Sequence, residues 1–273
     1  HRIDRRASGT IESAKPLAAP HDQRRYLLHS LIEEAITSSQ LEGAATTRRV
    51  AKQMLRERRE PRDKGERMIV NNFRGMRFIA ERARNEALTP ELVFELHGNL
   101  TAGTLDDDGA AGRFRRDDDE IVVQDMEGRT LHTPPPAAEL PARLQALCDF
   151  ANDAAETPFI HPVVRSILLH FWLAYDHPFV DGNGRTARAL FYWSMARRGY
   201  WLMEYVSVSG LLLRARSAYL RSFLYTETDE NDTTYFLLHQ MRVILRAIDD
   251  LNAYLERKMP TMPAFVNCYL HLS

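Results

Sequence analysis

A short segment of the chain combines side chains that can bind a polyphosphate and activate a hydroxyl. Residues 177–188 run His-Pro-Phe-Val-Asp-Gly-Asn-Gly-Arg-Thr-Ala-Arg. A neutral imidazole at His177 can take a proton from an attacking hydroxyl, and the Asp181 carboxylate can hold a divalent metal ion. Each residue type alone is common in a structural role, but their combination predicts phosphate chemistry.

The glycines of this segment predict a tight loop that leads into a helix. Gly182 and Gly184 favour the turn, and the first N–H groups of the new helix lack partners within it. Such a loop can bind an anion, and the helix dipole adds about 0.3–1 kcal/mol. Asn183 can donate to a phosphate oxygen. Arg185 and Arg188, three positions apart on one helical face, can clamp a polyphosphate.

Apolar periodicity predicts the helices that must position this loop. Thr89-Pro90-Glu91 has the N-cap and first-turn proline of a helix start. The Arg- and Glu-rich residues 48–67 indicate a solvated helix and loop rather than a nucleic-acid surface. Further helices are expected over residues 23–41, 67–85, 140–154, 162–175, 184–198, 211–225 and 233–258.

One β-hairpin interrupts the helices. The runs 121–123 and 130–132 consist largely of strand-forming residues, and a loop with Gly128 near its end separates them. Pro134 and the two prolines after it stop the second strand. The sequence therefore predicts a mainly α fold, a helical bundle with one hairpin beside the active-site loop.

Composition excludes several classes of protein. The chain has 273 residues, 44% of them apolar, which is enough for one well-packed domain, or for one domain plus a small attachment. Lys and Arg (36) nearly balance Asp and Glu (37), which argues against nucleic-acid binding by bulk charge. Cys148 and Cys268 suit neither a zinc site nor a disulfide framework, and Cys148 is expected as a buried thiol. With no long apolar run, we expect no membrane span, no signal peptide and a cytoplasmic protein.

Residues 177–188 resemble the signature of the Fic family, His-x-Phe-x-(Asp/Glu)-Gly-Asn-Gly-Arg-x-x-Arg, at every fixed position. The surroundings are also similar: His161-Pro162 opens the preceding helix, and Gly112-Arg113-Phe114-Arg115 precedes the hairpin. The resemblance covers roughly residues 30–258. It implies the Fic fold and transfer of AMP from ATP, with Mg²⁺ or Mn²⁺, to a Ser, Thr or Tyr hydroxyl of a target protein.

The resemblance also assigns roles to individual residues. His177 would be the general base, and Asp181 would bind the metal ion. Phosphate binding would fall to residues of the loop and the motif helix: Gly182, Asn183, Gly184 and Arg185 for the α- and β-phosphates and Arg188 for the γ-phosphate. Tyr219 would line the adenine pocket, although an ordinary core tyrosine is an equally good interpretation.

The hairpin at 121–132 resembles the family's flap, where a segment of the target would add as an extra strand and place its hydroxyl near His177. A close relative that transfers a whole phosphate has a Lys-containing loop instead. Gly184 and Arg185 fit the AMP-transferring version.

A second motif lies near the N-terminus. Residues 38–43 run Ser-Ser-Gln-Leu-Glu-Gly, similar to the family's inhibitory motif (Ser/Thr)-x-x-x-Glu-(Gly/Asn). Ser38, Glu42 and Gly43 fit it. The resemblance implies that Glu42 pairs with Arg188, so that Arg188 cannot hold the γ-phosphate.

These expectations divide the chain into four parts: an arm (1–22), N-terminal helices that include the inhibitory helix (23–110), the Fic core with its flap (111–258) and a tail (259–273). The tail is expected to be a truncated linker to a C-terminal winged-helix module, and DNA binding is expected only through such a module. Self-modification and a homodimer fit the family.

Two other functions stay open at this point. The same site can remove AMP from a modified target, with Glu42 assisting a water molecule. A non-catalytic regulatory protein that senses ATP is a different class. UTP or GTP as the nucleotide is also open, because the loop itself does not select the base.

Overall fold

The structure, a computed structural model, describes residues 3–4, 20–124, 127–153 and 159–258. In these ranges the chain is mainly helical with one two-stranded antiparallel sheet, which confirms the expected fold class. The α-helices are α1 (Pro20–Leu41), α2 (Arg48–Glu57), α3 (Lys64–Arg82), α4 (Pro90–Thr101), α5 (Leu140–Ala151), α6 (Pro162–Asp176), α7 (Asn183–Arg197), α8 (Val208–Arg214), α9 (Arg216–Thr228) and α10 (Thr234–Lys258).

The core lies around the helix pair α6 and α7, which the active-site loop connects. Helix α6 buries Ile167, Leu169 and Leu173 completely. Almost every side chain of α7 is buried, including Leu190 and Trp193. A helix that is apolar on most sides must have neighbours on most sides, so both ends of the loop are held by packed helices.

Helix α1 packs through apolar side chains on one face and through polar side chains on the other. On one face, its Ile32 and Ile36 form a separate apolar cluster with residues of α2 and α3, among them Met54 and Ile69. The opposite face of α1 meets α7 through polar side chains, described below. The helix ends at Leu41, and Gly43 follows with φ +92°, a conformation that glycine adopts readily.

The hairpin is shorter than predicted. Strand β1 covers Val123–Gln124 and strand β2 covers Thr130–His132, paired Val123 to His132 and Gln124 to Thr130. Ile121 and Val122 lie outside β1, since pairing begins only at Val123, and the register within the strand is irregular between Val123 and Gln124. The turn residues 125 and 126 lie outside the described residues.

Other element boundaries differ modestly from the predictions. Helix α1 starts at Pro20 rather than at residue 23, since proline suits the first turn of a helix. The helix expected over 211–225 is two helices, α8 and α9, because Ala215 leaves the helical conformation with ψ 42°. The proposed domain boundaries stay predictions, and most of the arm and the tail lie outside the described residues.

Two further expectations concern burial. Cys148 is a free, buried thiol as predicted, and burial raises its pKa to about 12. Cys268 lies outside the described residues. In the described part of the chain, no helix has the length and apolarity needed to span a membrane.

Candidate active site

The loop between α6 and α7 is closed by its own hydrogen bonds. The Asn183 side chain accepts from the N–H of Phe179 (3.0 Å) and donates to the Phe179 carbonyl (2.7 Å). Asn183 is buried, and Phe179 is fully buried beneath it. The amide therefore fixes the shape of the loop, and its predicted contact with a phosphate oxygen stays a prediction.

His177 ends helix α6 in a left-handed conformation, φ 44° and ψ 56°. Its Nδ1 lies 3.1 Å from the Ala174 carbonyl oxygen and must donate to it, so Nε2 is left with the lone pair. Burial lowers the pKa of His177 below its ordinary value, although Glu42 nearby raises it. A neutral imidazole with an available Nε2 is what a general base requires.

Asp181 lies on the exposed side of the loop. The next residue, Gly182, has φ +82°, and a Cβ there would come within 2.6 Å of the Thr101 side chain. The Gly182 N–H donates to Asp181 Oδ1 at 2.5 Å. The Asp181 side chain is 48% exposed, so the carboxylate is fixed by its neighbour and still faces solvent.

Arg185 lies beneath the loop and is fully buried. Its Nη1 donates to the Leu100 carbonyl at 2.9 Å, and its Nη2 lies 3.4 Å from Asp181 Oδ2. Burial lowers the pKa of the Arg185 guanidinium. The neighbouring Asp181 carboxylate offsets this only in part, so the pKa of Arg185 stays below its ordinary value. In this arrangement Arg185 ties the loop to helix α4, while its predicted contact with phosphate stays a prediction.

Arg188, one turn further along α7, is held by helix α1. Its Nη2 lies 2.9 Å from Glu42 Oε1, its Nε donates to Ser38 Oγ at 2.9 Å, and its Nη2 also reaches the Ser38 carbonyl at 3.0 Å. Burial alone would lower the pKa of Arg188, but the Glu42 carboxylate more than offsets this and the pKa is raised. The structure thus brings the two separately predicted motifs together.

Glu42 also covers the first turn of α7. A Cβ built on Gly184 would overlap the Glu42 carboxylate and lie 3.0 Å from Arg188 Nη1. The carboxylate therefore occupies the place where the helix N-terminus and an arginine both favour an anion. Only a glycine at position 184 leaves room for it.

His97 of helix α4 supports the loop and was not predicted. Its Nδ1 accepts from the Gly112 N–H at 2.9 Å, so Nε2 carries the proton and donates to the Asp181 carbonyl, also at 2.9 Å. The ring stacks on Phe179 with centroids 3.7 Å apart, and burial lowers the pKa of His97 to about 4. A single histidine in an apolar helix gives no signal of this support.

Arg115 is a second support that was not predicted. Its N–H donates to the Pro178 carbonyl at 2.9 Å, and its Nε donates to the His177 carbonyl at 2.8 Å. It thereby holds the main chain of the predicted base. The segment Gly112 to Arg115 is similar to the family, but its spacing alone does not indicate this contact.

A metal ion would need ligands from the substrate. Within the described ranges, no three His, Cys, Asp or Glu side chains converge on one point. Mg²⁺ commonly takes one or two carboxylates and completes its shell with phosphate oxygens and water. The half-exposed carboxylate of Asp181, next to the N-terminus of α7, fits that mode of binding.

Comparison with known families decides what this loop and helix belong to. Residues 87–195, which include α4, the hairpin, α6 and most of α7, match the family model described as the Fic/DOC family. These residues form a Fic domain.

Curated proteins with similar sequences carry the same name. A protein adenylyltransferase Fic of Nematostella vectensis is 32% identical over 119 residues, which are 43% of this chain and 25% of that protein. The protein of the same name from Drosophila mojavensis is 28% identical over 205 residues, 72% of this chain and 39% of the relative. The chain thus spans a quarter to two fifths of the length of these relatives. Their shared name supports a nucleotidyltransferase-type activity for the family.

Solved structures share the fold. A Fic domain containing signaling protein from Bacteroides thetaiotaomicron superposes with a TM-score of 0.74 at 23% identity, and covers 92% of this chain and 96% of the other. Fic-1 from C. elegans has a TM-score of 0.68 at 20% identity, with 89% and 68% of the two chains covered. The Fic fold therefore extends well beyond residues 87–195.

The hairpin of the Fic domain is attached beside the base. His132 of β2 lies with Nδ1 2.7 Å from Glu227 and Nε2 2.6 Å from the Tyr175 carbonyl. Burial lowers the pKa of His132, but these two acceptors outweigh it and the pKa is raised. Val122 and Leu131 are exposed on the hairpin. Docking of a target on this flap stays a prediction.

Tyr219 lies in the core of the Fic fold. Its hydroxyl is 2.8 Å from His170 Nε2, and its ring packs edge-on against Phe223 at 5.3 Å. Burial raises the pKa of Tyr219 to about 12, although neighbouring Arg188 lowers it. The side chain is 6% exposed, as for an ordinary core tyrosine, and its role at the adenine stays a prediction.

Proposed function

We propose that this chain transfers AMP from ATP to a hydroxyl of a target protein, and that Glu42 restrains the reaction. The single observation that carries the proposal is the pairing of Arg188 with Glu42 at the N-terminus of α7. A carboxylate there marks an anion site, and His177 and Asp181 lie at the same loop.

The proposed reaction is an in-line displacement at the α-phosphorus. The target hydroxyl oxygen forms a bond to the α-phosphorus while the bond to the β-phosphate bridging oxygen breaks, and pyrophosphate leaves. The hydroxyl proton goes to Nε2 of His177, whose Nδ1–H is already engaged by Ala174. Positioning and charge neutralisation provide most of the catalysis in such transfers.

The loop residues would hold the triphosphate. The free N–H groups at the start of α7 and the Arg188 guanidinium favour negatively charged oxygens. Asp181 would hold Mg²⁺ or Mn²⁺, which when bound would neutralise charge on the phosphates. Arg185 would keep the Asp181 carboxylate in place from below.

The proposed brake is competition for one arginine. With Glu42 on Arg188, the γ-phosphate cannot bind the Arg188 guanidinium, and two anions would have to share the first turn of α7. ATP then binds with its α-phosphorus misaligned for attack. Removing the Glu42 carboxylate frees both the guanidinium and the space above Gly184.

The test compares two labels in the Glu42→Gly variant. We expect label from α-labelled ATP on protein in the presence of Mg²⁺, and none from γ-labelled ATP. The Glu42→Gly/His177→Ala variant should lose at least about 100-fold in rate, because a positioned general base contributes roughly 10²–10⁴-fold.

The alternatives predict other results. Transfer of the γ-label would mean phosphate transfer. Nucleotide binding without label on any protein, the chain itself included, would indicate an ATP sensor. Loss of AMP from a pre-modified target in the parent, with no forward transfer in Glu42→Gly, would indicate removal of AMP as the reaction.

A further inference from the structure

A buried carboxylate two helical turns before Glu42 also contacts the motif helix. Glu34 is 2% exposed. Its Oε2 accepts from the Tyr192 hydroxyl at 2.9 Å, from Ser207 Oγ at 3.0 Å and from the Ser209 N–H at 3.0 Å. Its Oε1 accepts from the Ser209 hydroxyl. These donors come from α7 and from the start of α8, far away in sequence.

Glu34 belongs to a regular series of contacts between α1 and α7. Glu34 and Ser38 lie on one face of α1, and Glu42, the first residue after the helix, continues their spacing of four. The residues of α7 that they face are also spaced by four, and run in the opposite direction: Tyr192, Arg188 and Gly184. Glu34 bonds to Tyr192, Ser38 bonds to Arg188, and Glu42 lies over Gly184 while it pairs with Arg188. Only the contacts of Ser38 and Glu42 involve the predicted motif.

The first contact, between Glu34 and Tyr192, is buried and lies furthest from the reaction. Burial and the Glu34 carboxylate raise the pKa of Tyr192 well above its ordinary value, so its hydroxyl keeps its proton and can donate. The Tyr192 hydroxyl oxygen also accepts a hydrogen bond from the Val208 N–H at 2.8 Å. The Glu42 side chain, by contrast, is 26% exposed.

We propose that Glu34 is a positioning residue of the inhibitory helix, which fixes α1 against α7 so that Glu42 reaches Arg188. Eight residues separate the two carboxylates, about 12 Å along a helix, so a small change at Glu34 shifts Glu42. This inference rests on the proposed function, but its structural part can be measured without any transfer activity.

The opposite face of α1 explains why the helix itself should survive loss of Glu34. Ile32 and Ile36 pack in the apolar cluster with α2 and α3. Glu33 forms ion pairs with Arg48 and Lys52 of α2. Loosening the polar face therefore changes where α1 lies against α7, while its apolar face stays packed.

The variants are Glu34→Gln and Tyr192→Phe, with Glu33→Gln as a matched control. A glutamine in place of Glu34 is close in size, but its amide N–H₂ group faces hydroxyl and N–H donors, whereas phenylalanine removes only the Tyr192 hydroxyl. Losing one or two buried hydrogen bonds should raise AMP transfer roughly 3- to 10-fold over the parent. Glu33→Gln removes a neighbouring carboxylate that contacts α2 instead, and should leave transfer at the parent level.

The same substitutions are then made in the Glu42→Gly background. A residue that acts through Glu42 should give no further increase there. A similar increase in both backgrounds, or a folded Glu34→Gln variant no faster than the parent, would overturn the proposal. If Glu34→Gln does not fold, Tyr192→Phe carries the same test.

Hydrogen exchange separates this proposal from the proposed function. Amides of residues 38–42, at and directly after the C-terminal end of α1, should exchange faster in Glu34→Gln and Tyr192→Phe than in the parent and Glu33→Gln. Faster exchange without AMP transfer in any variant would retain the positioning role and reject the transferase. AMP transfer in Glu42→Gly, together with unchanged hydrogen exchange and an unchanged transfer rate in both Glu34→Gln and Tyr192→Phe, would retain the transferase and reject the positioning role of Glu34.

Discussion

Two arginines on the same helix are held in opposite ways. Arg185 is bound by Asp181 of its own loop and by the Leu100 carbonyl of α4, both inside the Fic domain. Arg188, three residues later and also buried, is bound by Ser38 of α1 and by Glu42, which directly follows that helix. The contacts of Arg185 do not involve α1, whereas both partners of Arg188 come from α1 and the residue after it. In the proposed function a phosphate replaces the partners of Arg188, so that an element outside the loop restrains a preformed site.

The largest effects on stability and activity are expected when each of the two arginines is replaced by alanine. Arg185→Ala leaves the buried Leu100 carbonyl without its donor and removes the link to Asp181, and should lower the free energy of unfolding by about 1–3 kcal/mol. Arg188→Ala, made in the Glu42→Gly background where no buried carboxylate is left unpaired, should cost less stability and more activity. Denaturant unfolding and AMP transfer of both variants test this. Equal stability losses would contradict the distinction.

Nucleotide binding should show the competition for Arg188 directly. In the parent, Glu42 holds Arg188, so ATP should bind no more tightly than ADP. In Glu42→Gly the γ-phosphate gains a charge-assisted contact, and ATP should bind about 10-fold more tightly than ADP. Titration calorimetry measures both ratios. The same ratio in parent and variant would show that Glu42 does not compete with the γ-phosphate.

The pH dependence of AMP transfer should come from His177 of the loop, and should be measurable in a variant without the Glu42 carboxylate. Because the pKa of His177 is lowered by burial, the neutral base persists into mildly acidic solution. The acidic limb of kcat/KM in Glu42→Gly should therefore lie below pH about 6.5, the ordinary histidine value. Rates should rise with pH through that limb and then level off. A limb centred well above pH 7 would contradict His177 as the base.

The smallest effect is expected at the hairpin. The pKa of His132 is raised, so its stabilising contribution is complete below the unfolded value and is lost as pH rises through the folded value. The Glu227 carboxylate and the Tyr175 carbonyl then face a ring with only one N–H. The difference in unfolding free energy between the parent and His132→Gln should shrink by about 1 kcal/mol from mildly acidic to alkaline pH. A constant difference would exclude His132 as the titrating group.

The active-site loop could be predicted from the sequence more completely than the contacts that α1 and other distant elements make with it. The loop residues are predictable because their chemistry is local, within residues 177–188. The contact of Glu42 with Arg188 comes from resemblance, since no spacing connects positions so far apart. The supports His97 and Arg115 and the carboxylate of Glu34 escape prediction, because each acts through a partner that only the fold brings near.

Predicted boundaries are wrong for similar reasons. The break between α8 and α9 at Ala215 involves no glycine or proline, so periodicity alone joins the two helices. The first strand is predicted from its β-branched residues, but where pairing starts, and the irregular register between Val123 and Gln124, depend on the partner strand. Tertiary context decides both.

The most direct test of the central claim is the initial rate of AMP transfer at saturating ATP and Mg²⁺ in the parent and in Glu42→Gly. Release of Arg188 and of the space above Gly184 predicts a rise of roughly 10- to 100-fold, the factor expected for one charge-assisted contact. Equal rates in the two folded proteins, with transfer detected in both, would show that Glu42 does not restrain the reaction.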